Sequence, residues 1–164
     1  MQWRGSALTL RPIRPEDGEA HLRFFSALDP VDVRFRMFIH MRELQPSQLA
    51  RMTQIDYDRE MAFVAVRPSK DGSDETLGVV RAVADPDNIN AEFAIIIRSD
   101  LKGLGLGQML MTKLIAYFRQ RGTQVIVGEA LSDNRAVIEL AKNLGFEIHS
   151  QPGTGTVELR LSLC

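Results

Sequence analysis

The stretch AEFAIIIRSDLKGLGLGQMLMTKLIAYFRQRGTQVIVGEAL, residues 91–131, constrains the fold more than any other part of the chain. It opens on a β-branched run and passes through three alternating glycines, Gly103, Gly105 and Gly107. An amphipathic run follows, and then a second β-branched run. Apolar residues at 106, 110, 114 and 117, with 111, 115 and 118 beside them, predict a broad helical face over 104–121. Gly122 fits its C-terminal cap. A strand, a helix and a second strand in succession need a crossover, which favours parallel pairing of the two strands.

The flanking segments add antiparallel strands to this unit. Segment 7–13, ALTLRPI, alternates and reads as a strand. Pro15 then fits a first helical position, with Glu16 and Asp17 in the first turn where the helix dipole favours acids. Two more proline-initiated helices are expected at 29–38 and 45–53. QIDYDRE (54–60), with Asp56 and Tyr57, reads as a polar loop. Strands at 60–68 and 76–85 flank the turn SKDGSDE, and the strand at 91–98 makes them a meander. A helix follows residues 132–134, with Ser132, Asp133 or Asn134 as N-cap, and Gly145 stops it. FEIHS and TVELRLSL close the chain as two strands. The expected fold is α/β: a mixed, mostly antiparallel sheet of about seven strands with helices on both faces. Length predicts a single domain spanning 1–164.

Composition narrows the function classes. A formal net charge of −1 gives no electrostatic case for nucleic acid or an anionic membrane surface. No apolar run approaches a membrane span, and the first residues lack a signal-peptide layout. The lone Cys164 cannot form an internal disulfide, which points to a reducing compartment and the cytoplasm. His21, His40 and His149 have no partner at metal-ligand spacing, so no metal site is expected.

The glycine turn can be a tight strand-to-helix turn or an anion cradle. Position 108 is Gln, so the dinucleotide pattern G-x-G-x-x-G is absent, and so is a P-loop. A strand feeding glycines into a helix can still hold phosphate, because the first helical N–H groups lack intrahelical partners and the dipole adds positive potential. Glycine lets those groups approach an anion, and Lys102 adds a charge beside them.

Lys102-Gly-Leu-Gly-Leu-Gly107, between strand and helix, resembles the acyl-CoA pyrophosphate loop of the GCN5-related N-acetyltransferase (GNAT) superfamily, with Lys where Arg or Gln is usual. The segment from Asn134 to Gly145-Phe146 is similar to that superfamily's Asn…Gly-Phe stretch. A narrower resemblance runs through 9–17, 53–66, 83–107 and 128–146, which are similar to the acetyltransferase domain of Pat-type protein lysine acetyltransferases. In that family the domain often follows a large synthetase-like region, so this chain is read as a free-standing relative or as the excised catalytic domain.

The resemblance implies a GNAT fold and acetyl transfer from acetyl-CoA to the ε-amine of a protein lysine, with acyl-CoA synthetases as associated substrates. Two alternatives stay open: acetylation of a small amine, or a CoA-sensing module without activity. The backbone from Gly103 through Leu104, Gly105 and Gly107 to Gln108 would hold the pyrophosphate, with Lys102 beside it. The pantetheine arm would pair with the strand edge at Ile97. Asn134 is a further cofactor contact or a plain N-cap. A lysine amine, with a pKa of about 10.4 in water, needs a general base. Glu92 is the leading candidate, because it matches the family's catalytic Glu and because burial between Ala91 and Phe93 would raise its pKa. Glu129, ending the next strand, is the second catalytic candidate. Many superfamily members carry a Tyr acid where this chain has Ala141.

Overall fold

The computed structural model describes residues 2–3, 5–32, 53, 59–69 and 72–164. Asp56, Tyr57, His40 and most of the two proline-initiated segments at 29–38 and 45–53 lie outside the described residues. A short hairpin, β1 (Gln2–Trp3) with β2 (Ser6–Ala7), precedes β3 (Thr9–Pro12). Pro15–Asp17 forms a 3-10 turn that leads into α1 (Gly18–Ser26). The meander is β4 (Glu60–Pro68), β5 (Asp74–Ala84) and β6 (Asn90–Ile97). The crossover helix α2 (Leu106–Gln120) leads to β7 (Val125–Leu131), then α3 (Arg135–Asn143), β8 (Glu147–Gln151) and β9 (Thr156–Ser162).

Seven strands form one mixed sheet in the order β3-β4-β5-β6-β7-β9-β8. Every pairing is antiparallel except β6 with β7. This is the expected architecture, and the crossover accounts for the one parallel pair. The sheet is covered on both faces. Met61, Phe63 and Ala65 of β4 join Leu110, Leu114 and Phe118 of α2 in one apolar cluster. Ala62, Val64 and Val66, pointing the other way, join Phe24, Phe25 and Leu28 around α1. Burial on both faces is why β4 reads as an unbroken apolar run rather than an alternating one. Each such Leu or Phe contributes about 1.5–3 kcal/mol by leaving water.

Asp17 does more than sit in a first turn. Both its carboxylate oxygens accept from the Arg11 guanidinium, at 2.8 and 2.7 Å, and one also accepts from the Arg14 backbone N–H at 2.7 Å. Burial alone would push this carboxyl up, but the Arg11 and Arg14 hydrogen bonds hold it below its usual range. The pair ties β3 to the start of α1.

The functional consequence of the topology lies between β6 and β7. Their ladder holds only Asn90, Ala91 and Glu92 against Val125, Ile126 and Val127. Beyond it β6 stays paired with β5 and β7 stays paired with β9, so the two halves of the sheet part. At that point the Phe93 ring lies over Gly128. A Cβ on Gly128 would stand 2.4–2.8 Å from three ring atoms, so only glycine fits. Phe146 packs against the same ring, 5.4 Å between centroids.

Two outcomes test this packing. Gly128→Ala overpacks the junction and is expected to destabilise the protein by about 1–3 kcal/mol in urea unfolding. Because the Asp17 pKa is depressed in the folded state, the stability it contributes is present above its unfolded value of about 3.9 and is lost as pH falls through the folded value. Asp17→Asn should therefore be less stable than the wild type at pH 7, and the difference should shrink at acid pH.

Candidate active site

The strand β6 leaves the sheet through a 3-10 turn, Ser99–Leu101, and the glycine turn follows. Gly103 and Gly105 have φ of +78° and +88°. A Cβ at either would meet nothing within 4 Å, so their backbone twist and not a neighbour demands glycine. Gly107 differs: it lies inside the first turn of α2, and a Cβ there would press Leu140 of α3 at 3.2 Å. The expectation that all three glycines serve one purpose is refined at Gly107, where a neighbouring helix requires the absence of a side chain. Two shape the turn, and the third lets α2 and α3 approach. No side chain caps the start of α2, so its first N–H groups face the space in front of the turn.

That space is a cleft of about 480 Å³. Its walls are Ile95, Ile96 and Ile97 of β6, the turn from Lys102 to Gly105, the first turn of α2 and one side of α3. Ile97, Lys102, Gly103, Gly105, Gly107, Gln108 and Asn134 all line it, whereas Leu104 does not. Asn134 is the N-cap of α3, accepting from the Val137 N–H at 3.4 Å, and it lines the cleft as well. Arg98 donates to β5, its N–H reaching the Leu77 carbonyl at 2.8 Å. By strand alternation the backbone groups of Phe93, Ile95 and Ile97 face the other way, into the gap opened beside β7. The Arg98 guanidinium is engaged with Asp100 and Glu75 and does not line the cleft.

An acid that the sequence did not single out also lines the cleft. Asp32 is buried in its wall, forms an ion pair with the Lys102 ammonium, and accepts from Ser99 Oγ at 2.6 Å. Ser99 Oγ in turn accepts from the Asp29 N–H at 2.9 Å. Lys102 is therefore a charge already held by a buried carboxylate. Nothing local in the sequence signals the pair, since its members are 70 residues apart.

Glu92 and Glu129 lie on one face of the sheet. Glu92 stands beside Val127 in the register, and Glu129 is two residues further along β7. Both are exposed. The expected burial of Glu92 is corrected: Ala91 and Phe93 point into the cluster under α2, on the opposite face, and so do not desolvate it. Ala141 is buried in that same cluster and offers no proton. Met111 is fully buried and Met109 packs against the cluster, as expected for core residues. Among the described residues no group of three or more His, Cys, Asp or Glu is placed to hold a metal, and no helix is long and apolar enough to cross a membrane.

The sequence matches the acetyltransferase (GNAT) domain family over residues 7–147. The chain belongs to the GNAT acetyltransferase family. It is 34% identical over 152 residues to acetyltransferase PA5475 of Pseudomonas aeruginosa, covering 93% of this chain and 81% of that protein. A shorter match, 42% over 60 residues, links it to an L-methionine sulfoximine/L-methionine sulfone acetyltransferase of Pseudomonas aeruginosa, covering 37% of this chain and 35% of that one. The crystal structure of the GNAT domain of S. lividans PAT superposes with a TM-score of 0.85 at 22% identity, covering 96% of this chain and 92% of that domain. As a GNAT acetyltransferase the protein uses acetyl-CoA as co-substrate.

The turn geometry gives a direct test of cofactor binding. Gly105→Ala lets the free turn relax out of its left-handed shape, and cofactor binding must restore a strain of about 1–2 kcal/mol, so acetyl-CoA affinity should fall roughly tenfold in calorimetry. Gly122→Ala carries a similar φ, +84°, at the far end of α2 and should leave that affinity unchanged.

Proposed function

We propose that the protein transfers acetyl from acetyl-CoA to the ε-amine of a lysine on a protein, with Glu92 as general base. The observation that carries the assignment is the end of the β6–β7 ladder at Glu92. A cofactor arm lying along β6 from the glycine turn would meet Glu92 about 17 Å inward from Ile97, five strand residues at about 3.3 Å each. The Ile97 backbone would pair with that arm, and the N–H groups of Gly103, Leu104, Gly105, Gly107 and Gln108 would receive the pyrophosphate at the helix start. Lys102 and Asn134 flank it.

The reaction needs little else from the side chains. Glu92 takes the proton as the amine nitrogen attacks the thioester carbonyl. A β6 N–H facing the gap steadies the developing oxyanion. The sulfur leaves without a side-chain acid, which a thiol of pKa about 8.5 tolerates and the apolar Ala141 requires. Glu129, on the same face, positions the acceptor amine.

Protein lysine as acceptor rests on the four stretches similar to Pat-type domains; acyl-CoA synthetases are then the substrates to try first. The local identity to an amino-acid-derivative acetyltransferase favours a small amine as the second reading. The single Cys164 supports action in the cytoplasm.

A thiol-release assay with acetyl-CoA, run against acyl-CoA synthetases and a panel of free amines, separates the two acceptors. Glu92→Gln is expected to lower turnover by about 10²–10⁴-fold while CoA binding persists. Glu129→Gln should mainly raise KM for the amine. Full activity in Glu92→Gln would remove the base assignment.

A further inference from the structure

An aromatic ring stands just inward of the residues that line the cleft. The cleft's β6 wall is formed by Ile95, Ile96 and Ile97. One inward step along the strand face from Ile95 lies Phe93, only 7% exposed, with its ring occupying the place of the side chain that Gly128 lacks. Phe146 packs against the same ring, 5.4 Å between centroids. Phe93 thus fills the apex where β6 and β7 part, immediately next to Glu92.

We propose that Phe93, seated on Gly128, is the end wall of the acyl pocket and limits the transferred group to acetyl. This rests on the reading that the thioester reaches the apex beside Glu92. The chemistry is the same for any acyl group: the amine nitrogen bonds to the acyl carbon, the carbon–sulfur bond breaks, and the proton released by the amine goes through Glu92 while the sulfur is protonated as thiol. What changes with chain length is space. A methyl group ends against the ring, whereas each added methylene must enter the volume shared by Phe93, Gly128 and Phe146. Those positions are a ring, a bare backbone and a second ring, so removing the first ring opens a slot that the glycine has left unfilled.

The test compares kcat/KM for acetyl-, propionyl- and butyryl-CoA with one amine acceptor, in the wild type, Phe93→Leu and Phe93→Met, each checked for folding by circular dichroism. The methionine variant keeps most of the volume in a flexible chain, so it provides a folded reference should the leucine variant lose the core. The wild type is expected to prefer acetyl over butyryl by at least about 10- to 200-fold, the range a single extra methylene carries in a closed apolar pocket, since butyryl adds two. Both variants should narrow that ratio about tenfold, mostly by gain on butyryl. A wild type that uses butyryl-CoA as well as acetyl-CoA would overturn the proposal, as would an unchanged ratio in either folded variant. Absence of acetyl transfer by the wild type to any amine would instead overturn the proposed function.

Discussion

Three parallel residue pairs, Asn90–Glu92 against Val125–Val127, join the two halves of the sheet. Everything that makes the cleft follows from the shortness of that ladder. A parallel pair requires a crossover, so α2 must begin near the end of β6 and pack back across β4, β5 and β6. Its start then lies where the strands have separated, with uncapped N–H groups turned toward the gap. A longer ladder would close the gap with strand hydrogen bonds and leave the cofactor no edge to join. Phe93 and Gly128 sit at the separation point. A ring on one strand and no side chain on the other keep the apex filled while the strands diverge.

The cleft carries an electrostatic balance that a motif does not convey. The turn supplies the positive end of a helix dipole, and Lys102 supplies a whole charge. Asp32 then offsets that charge from inside the wall, held by Ser99. An anion at the turn therefore meets backbone N–H groups first and a lysine already engaged with a carboxylate. The contact also ties the segment after α1 to the glycine turn, so the turn's position depends on a part of the chain far from it in sequence.

The elements were legible where one physical signal dominated. β4, β5, β6 and β7 announce themselves as apolar runs, and α2 as a broad 3.6-residue stripe with a glycine behind it. The fold class and the strand order up to the crossover followed from those signals. What was not legible is tertiary. Asp32 reads as an ordinary acid in a helix start until the fold brings Lys102 to it. Gly107 looks like its two neighbours until α3 is placed against it. Glu92 shows the same limit in reverse: apolar residues on either side suggested burial, but in a strand the adjacent residues face away, and the partners that would bury a side chain are two residues off or on the next strand.

An exposed Glu92 is consistent with its proposed task. Under that proposal the attacking amine arrives from the face opposite α2, and its proton must reach the base without crossing the sheet. A carboxylate sealed among Ala91 and Phe93 would lie on the cofactor side and be unreachable by the acceptor. Strand alternation instead gives each face one duty. Phe93, Ile95 and Ile97 face the α2 side with their backbone toward the gap, and Glu92 faces the opposite side, where the proposal puts the acceptor. On the proposed reading the two substrates meet through the opening at the apex, so the residues beside that opening would govern what is transferred as well as to what.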